Sequence, residues 1–333
     1  MIDLNGEVNY QDGAGNEFHL NTIVGEQDIS GGSVPLSGYA VEGVGFGGVQ
    51  PVGYTDPKAT SDGIDTAEAY AGRRTLSMLM SVYGSTRVDL YQKIQDLLTV
   101  MRFMPRRYAA TDGFRQLRFT MLTTNTSVFP SGEIPSYVLV RPLDMPTTEV
   151  TTAQTTGSDT RGYSARIMLN FLMKYPFKYG QELRVEEDLP IDGTNTVIQN
   201  HGGAPADAQL LIQSSDGTAR AGDIYVTITV NGVPLKLKVA QTIGADGDLV
   251  RSILVDYKEQ IVYIRELNTD TGIVESAIAQ NLIVIDSGAT FGTLEPKIDY
   301  PDGMNVSVNI TDLAEDPVAE DYKVDFSWRE AWY

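Results

Sequence analysis

The chain has 333 residues, with 25 Lys and Arg, 44 Asp and Glu, two His and no Cys, and its formal net charge is −19. Without cysteine it has no disulfides, no Cys-ligated zinc, no iron–sulfur cluster and no thiol nucleophile, and His19 and His201 alone exclude a His-rich metal site within one chain. The acidic surplus argues against nucleic-acid binding, which needs a basic surface, and neither a membrane-spanning segment nor a signal peptide is recognisable.

The first long feature is a Gly-rich segment over residues 30–66 with three prolines and little periodicity, which predicts a long arm loop. Within it, GVGFGG at 43–48 formally matches G-x-G-x-x-G. The residues VQPVGYTDP that follow cannot begin the helix that holds a pyrophosphate, so we interpret 30–66 as an extended arm. An arm that reaches a neighbouring subunit and a disordered loop are equally compatible with the segment. Residues 144–162, rich in Thr and Ser, form a second such loop.

Alternating apolar residues predict strands over 74–84, 114–124, 136–143 and 163–175. Between the first two, Leu90, Ile94, Leu97, Leu98 and Met101 form an apolar stripe at helical spacing. Thr86 and Asp89 resemble a capping box at its start, and Pro105 follows its end. The pattern predicts one amphipathic helix within 86–103 in a chain that is otherwise mainly β.

The C-terminal half is predicted to be a series of strands and hairpins. IYVTITV and PLKLKV flank Asn231-Gly232, a sequence typical of a type I′ hairpin turn. A second hairpin over 253–267 turns near Lys258-Glu259, and NTDTG at 268–272 favours a turn over a calcium loop. Further strands are predicted at 275–286, 304–311 and 321–333.

Charge changes abruptly along the chain. Residues 1–185 contain 16 basic and 19 acidic side chains, and residues 186–333 contain 9 and 25. This shift predicts two domains, 1–185 and 186–333. Within the first, residues 73–118 are basic. A solvent-exposed face is one interpretation, and the other, which we predict, is that their arginines contact acidic groups of a neighbouring subunit or partner. These candidate interface residues are Arg73, Arg74, Arg102, Arg106, Arg107, Arg115 and Arg118.

No motif for catalysis or cofactor binding is present: there is no P-loop, no H-E-x-x-H and no G-x-S-x-G. The 44 acids offer many chance carboxylate pairs, none of which is singled out. We therefore expect no enzyme, no metal and no cofactor.

Several segments together resemble the distal tail protein (Dit) family of long-tailed bacteriophages. YPFKYGQE at 175–182 is similar to that family's passage out of its first domain, and NHGGAPADAQLLIQ at 200–213 to the opening of its second. AGDIYVTITVNG at 221–232, SILVDYKEQIVYI at 252–264 and GTLEPKIDYPDGMNVSVNIT at 292–311 resemble its strands, hairpin and turn in the same order.

The resemblance implies a mainly β fold: an N-terminal belt domain with one helix and a C-terminal galectin-like β-sandwich. It implies a homohexameric ring at the phage tail tip that joins the tail tube protein to the tail tip or baseplate hub protein. The tape measure protein is a further candidate partner, and DNA would pass through the lumen without specific binding. The protein would be made in the host cytoplasm and act in the virion, with no membrane association.

One rival function is a carbohydrate-binding module, since such sandwiches can hold sugars on an aromatic platform. Its candidate residues are Tyr257, Tyr263, Trp328 and Trp332. Aromatics buried in the core or an interface are the alternative interpretation. A glycan-cleaving enzyme is the second rival, and it lacks a recognisable acid pair.

Overall fold

The computed structural model divides the chain into two compact units, Met1–Lys178 and Tyr179–Tyr333. It describes residues 6–11, 16–29, 32–47, 51–52, 55–57, 64–66, 70–71, 74–101, 113–143, 147–151, 163–220, 223–278, 283–285, 291–296, 299–312, 314–316, 318 and 321–332. The division falls seven residues before the predicted boundary at 185 (185 − 178 = 7). The reason is a strand at Arg184–Glu186, which pairs with the last strand of the chain and therefore belongs to the second unit.

The first unit contains short and long strands and one described helix, α1, at Arg87–Val100. Its strands are β1 Asn9–Gln11, β2 Glu17–His19, β3 Thr22–Ile29, β4 Gly32–Phe46, β5 Pro51–Val52, β6 Thr55–Pro57, β7 Ile64–Thr66, β8 Tyr70–Ala71, β9 Thr75–Gly84, β10 Arg115–Leu122, β11 Glu133–Pro142, β12 Thr147–Thr151 and β13 Tyr163–Met173. A further strand, β14 at Lys178–Gly180, crosses the division.

One antiparallel sheet dominates this unit, in the order β2–β1–β10–β11–β13–β9–β4–β3. Strand β12 pairs with β13 along the same edge as β11. Strand β9 shows the predicted alternation, because Leu76, Met78, Met80 and Val82 are all fully buried. Two separate two-stranded sheets, β5–β8 and β6–β7, lie outside this large sheet.

Helix α1 covers part of this sheet, packing against β9, β13 and β4. Thr86 caps it, since the Thr86 hydroxyl accepts a hydrogen bond from the Asp89 amide at 3.1 Å. Asp89 in turn accepts from the amide of Ser85 at 2.8 Å. Leu90, Ile94 and Leu97 are buried against the sheet, as the apolar stripe predicts. The predicted helix is confirmed.

The two predicted loops are wrong in part. Gly32–Phe46, within the predicted arm, is a 15-residue strand that pairs with β3 on one side and β9 on the other. Thr147–Thr151, within the second loop, pairs with β13. Strand pairing with distant segments orders these Gly- and Thr-rich stretches, whose apolar alternation is short or absent. The rest of 144–162 and much of 47–66 lie outside the described residues.

The second unit is a β-sandwich. Its strands are β15 Arg184–Glu186, β16 Thr196–Ile198, β17 Ala204–Ser214, β18 Ile224–Val230, β19 Val233–Val239, β20 Gly244–Asp246, β21 Leu249–Asp256, β22 Ile261–Asn268, β23 Val274–Ile278, β24 Ile283–Ile285, β25 Met304–Asp312 and β26 Tyr322–Trp332. One sheet has the order β15–β26–β17–β21–β22–β23, with β20 also on β21. The facing sheet has the order β16–β25–β18–β19–β24.

Aliphatic side chains from both sheets form one buried cluster between them, which includes Leu210 and Val324 of one sheet and Val226, Leu237 and Val308 of the other. The β18–β19 turn is the predicted one, since Asn231 and Gly232 have φ of 49° and 79°. The hairpins β21–β22 and β22–β23 also match prediction. The predicted strand 275–286 is two strands, β23 and β24, in opposite sheets. The mainly β fold class is confirmed.

Candidate interaction sites

Three of the seven predicted interface arginines lie among the described residues. They are Arg74 at the start of β9 and Arg115 and Arg118 on β10. Arg73, Arg102, Arg106 and Arg107 fall outside the described residues. Contacts can therefore be described for three of the seven predicted interface arginines.

The two arginines of β10 have partners within their own unit. Arg118 forms an ion pair with Glu17 of β2, and its Nε donates to the side-chain oxygen of Gln116 at 2.9 Å. Arg115 donates from Nη1 to the carbonyl of Phe114 at 2.8 Å. The acid that Arg118 meets in this structure is thus one of its own chain.

Arg74 lies apart from the other two, beside the aromatic ring that ends β4. Its Nε donates to the carbonyl of Gly47 at 2.5 Å and its Nη1 to that of Pro176 at 3.3 Å. The guanidinium carbon is 5.1 Å from the centre of the Phe46 ring, and the Lys178 ammonium is 4.7 Å from the same centre. Two cations therefore share one ring, within the attractive range for cation–π contacts.

Burial weakens the charged form of both groups. It lowers the pKa of Arg74, and it lowers the pKa of Lys178, which the neighbouring charge of Arg74 lowers further. Sequence analysis included Arg74 in the basic region but missed Lys178, which is 104 residues further along the chain. Lys178 lies in the aromatic-rich segment YPFKYGQE, which was the sequence feature that could have drawn attention to it.

The four aromatic residues of the sugar-binding hypothesis do not form one exposed surface. Tyr257 and Trp328 lie in the sandwich core, 5% and 7% exposed. Each packs near Phe326, with ring centres 6.2 and 6.0 Å apart, and burial raises the pKa of the Tyr257 hydroxyl. Buried rings cannot stack on a sugar, so this part of the hypothesis is wrong.

The other two aromatics are half-buried. Tyr263 points to the face of β22 opposite the buried Val262 and Ile264. The indole of Trp332 lies against Gly180, where an added Cβ would come within 3.5 Å of the ring. A distance of 3.5 Å is an ordinary van der Waals contact, so the ring packs on this backbone without requiring glycine.

A buried carboxylate holds together residues that sequence analysis did not connect. Glu330 is 4% exposed, and its Oε1 lies 2.9 Å from His201 Nδ1 and 3.1 Å from Arg184 Nε. The other histidine, His19, lies 2.7 Å from the side-chain oxygen of Asn9. These contacts of the two rings join neighbouring segments of the chain rather than forming a Ser-His-Asp arrangement.

A half-buried ion pair lies beside Tyr179, the first residue of the second unit. Lys258 forms an ion pair with Asp207 at 2.9 Å, and its ammonium lies 3.9 Å from the centre of the Tyr179 ring. Burial lowers the pKa of Lys258 and raises that of neighbouring Asp256. Asp256 accepts hydrogen bonds from Gln209 and from the amide of Glu259, so these groups are tied into the sheet.

Among the described residues, no group of three or more His, Asp or Glu side chains is placed to hold a metal ion. In the same part of the chain, no helix is long and apolar enough to span a membrane.

No protein-family model matches the chain, and no curated protein sequence does. Among solved structures, SPP1 Dit (gp 19.1), described as a paradigm of the hub adsorption apparatus in phages that infect Gram-positive bacteria, aligns with 89% of this chain and 94% of its own, at a TM-score of 0.53 and 15% identity. In fold, the chain is similar to a phage distal tail protein. A structure of the phage P2 baseplate, in its activated conformation with Ca, aligns with 98% of this chain and 97% of its own at 9% identity and a TM-score of 0.40.

The resemblance to the Dit family that the sequence suggests is thus supported by a similar fold over most of the chain. The fold combines a first unit with a large antiparallel sheet and one described helix, and a β-sandwich in the second. Fold alone does not assign function, which depends on surfaces and partners.

Proposed function

We propose that this chain is a structural virion protein, a homohexameric hub that joins the tail tube of a long-tailed phage to its tail tip or baseplate. The observation that carries the proposal is the fold shared with SPP1 Dit over 89% of this chain and 94% of that one. The order of the resembling segments in the sequence supports it independently, because it rests on residues rather than on overall shape.

In this proposal the first unit forms the ring and the sandwich projects from it. A ring of identical subunits needs heterologous contacts that close, and closure leaves a central pore. One face of the ring would bind the tail tube protein and the other the tail tip or baseplate hub protein, with the tape measure protein as a further partner. The protein would act in the virion after synthesis in the host cytoplasm.

The pore would form part of the DNA conduit. A chain with net charge −19 repels phosphate, so DNA would pass without specific binding. The mechanism is mechanical: the hub supplies a closed channel and two docking faces. It requires no bond-breaking chemistry from this chain.

A carbohydrate-binding module remains the alternative, but the described residues favour it less. Two of its four platform aromatics are buried in the core, and only Tyr263 and Trp332 keep partial exposure. Binding of the purified chain to a glycan array would support that alternative.

Native mass spectrometry of the purified chain at micromolar concentration, together with electron microscopy, tests the hub. We expect particles with six times the 36.4 kDa chain mass, six-fold symmetry and a central pore. Imaging of intact tails should place the same ring between tube and tip. Two-fold or three-fold particles without a pore would overturn the proposal.

A further inference from the structure

The ring of Phe46, with Arg74 and Lys178 beside it, has an unusual charge balance. We refer to these three residues as the Phe46 cation cluster. Phe46 is the last residue of β4, and its ring packs against that of Phe119, with 6.3 Å between the ring centres. The two cations lie 5.1 and 4.7 Å from the Phe46 centre, and neither forms an ion pair with a carboxylate in the part of the chain that the structure describes.

Among the described residues, Arg74 donates hydrogen bonds to neutral acceptors and not to a carboxylate that would balance its charge. Nε and Nη1 donate to the carbonyls of Gly47 and Pro176, which are neutral acceptors, and Nη2 has no described hydrogen-bond partner. Lys178 contributes a second positive charge that is partly removed from water. Two like charges in a half-buried position disfavour each other, and a nearby carboxylate would remove this cost.

Several half-buried cations elsewhere in the described chain have a carboxylate partner instead. The half-buried cations Arg184, Arg251 and Lys258 each pair with a carboxylate within 3.1 Å. A cluster of two cations on one aromatic ring instead has the composition of a protein interface, in which aromatic and Arg side chains are enriched. A planar guanidinium next to an ammonium suits a carboxylate in particular.

We propose that the Phe46 cation cluster is a docking site for a carboxylate of a second copy of this chain. This inference rests on the proposed ring, and it names one contact that closes it. Charge complementarity points to the occupant: each copy carries 44 acids against 25 Lys and Arg, so a neighbouring copy offers carboxylates in excess of cations. The same surplus disfavours DNA phosphate as the occupant, because the whole chain repels it.

Lys178 is the residue to change, since Arg74 also holds two backbone carbonyls. Lys178→Glu reverses the charge, and Lys178→Met removes it while keeping an unbranched chain against the ring. Lys236→Glu, at an exposed position of β19 in the second unit, changes the net charge by the same amount and is the matched control. The dissociation of the ring is measured by native mass spectrometry across a dilution series, at low salt and at about 0.5 M salt.

We expect Lys178→Glu to raise the concentration at which half of the rings dissociate by about tenfold or more at low salt, and Lys178→Met to raise it by a few-fold, because only the former adds repulsion. Lys236→Glu should leave it within about twofold, and high salt should shrink the differences. If Lys178→Glu lowers the melting temperature of the chain, the ring dissociation of Lys178→Met alone tests the inference.

Rings of both Lys178 variants as stable as the wild type would overturn the inference while leaving the hub proposal intact. A wild-type chain that forms no ring would instead overturn the hub. Anisotropy of a labelled DNA duplex at low salt separates the remaining source of anions. If Lys178→Glu weakens DNA binding and leaves ring stability unchanged, the cluster binds phosphate and the carboxylate assignment is wrong.

Discussion

Both units pair cations with carboxylates, but only in the first do two described cations share one aromatic ring. In the second unit, Arg220 lies 2.8 Å from Asp216 and Lys258 lies 2.9 Å from Asp207, and in the first, Arg118 pairs with Glu17. In the first unit, several cations lie over aromatic rings, including Arg74 and Lys178 over Phe46. Arg141 likewise lies over Phe114, 5.1 Å from the ring centre, and Arg87 over Tyr91 at 5.5 Å.

The cores of the two units also differ in composition. Two sheets of mostly Ile, Val and Leu cover each other in the second unit. In the first unit a sheet and a helix meet over a core that contains five buried methionines, Met78, Met80, Met101, Met121 and Met173. Methionine adapts to irregular space better than branched side chains do. The second unit thus covers its apolar faces with two sheets, whereas the first covers part of its sheet with a helix and carries the Phe46 cation cluster.

The largest expected effect concerns the separation of the two cores. Phe326 is fully buried in the sandwich, and Phe171 is buried in the first unit. Each Phe→Ala change should cost about 3–5 kcal/mol of unfolding free energy, through lost apolar contacts and the cavity left behind. In calorimetry of the full chain, Phe326→Ala should lower one transition and Phe171→Ala the other. A single transition that both variants shift equally would show that the units share one core.

A smaller effect should separate the paired cations from the unpaired ones. Arg184→Met removes a cation from buried Glu330 and should cost about 1.5–3 kcal/mol of unfolding free energy, the range for hydrogen bonds to charged groups. Lys178→Met removes a cation with no described carboxylate partner and should change stability by less than about 0.5 kcal/mol. Urea unfolding of dissociated chains measures both. Equal losses in the two variants would contradict the contrast drawn between the units.

The smallest expected effect concerns the helix that covers the first unit. Thr86→Ala removes the hydroxyl that accepts from the Asp89 amide and should cost about 1 kcal/mol, measured by urea unfolding of the transition assigned to that unit. Thr99→Ala is the matched control, since the exposed Thr99 hydroxyl donates only to the Gln95 carbonyl within the helix. A Thr86→Ala loss no greater than that of Thr99→Ala would mean that the cap does not stabilise the unit.

Local patterns were sufficient for many elements of the fold. The Asn231-Gly232 turn, the Thr86 cap and the alternation of Leu76 to Val82 depend on neighbours a few residues away, and the structure has all three where the sequence places them. Such features follow from backbone preferences and from the period of the apolar residues.

Strands without a pattern of their own needed distant partners. Residues 32–46 alternate only in short runs, Tyr39 with Val41 and Val44 with Phe46, because the register shifts between Val41 and Gly43. Pairing with β9 continues the strand across that shift, with Val44 opposite Met78. The division between the units likewise follows the pairing of Val185 with Ser327 rather than the change in charge near residue 186.

For this protein, the sequence by itself determined the mainly β class, the single predicted helix, the hairpins of the sandwich and the resemblance to a phage distal tail family. Only the tertiary structure decided which charges meet. It places Lys178 beside Arg74, Glu330 beside His201, and Tyr257 and Trp328 inside the core. The physical reason is range: turns and caps are set by interactions within a few residues, whereas ion pairs and burial depend on contacts that chain folding brings together across a hundred residues or more.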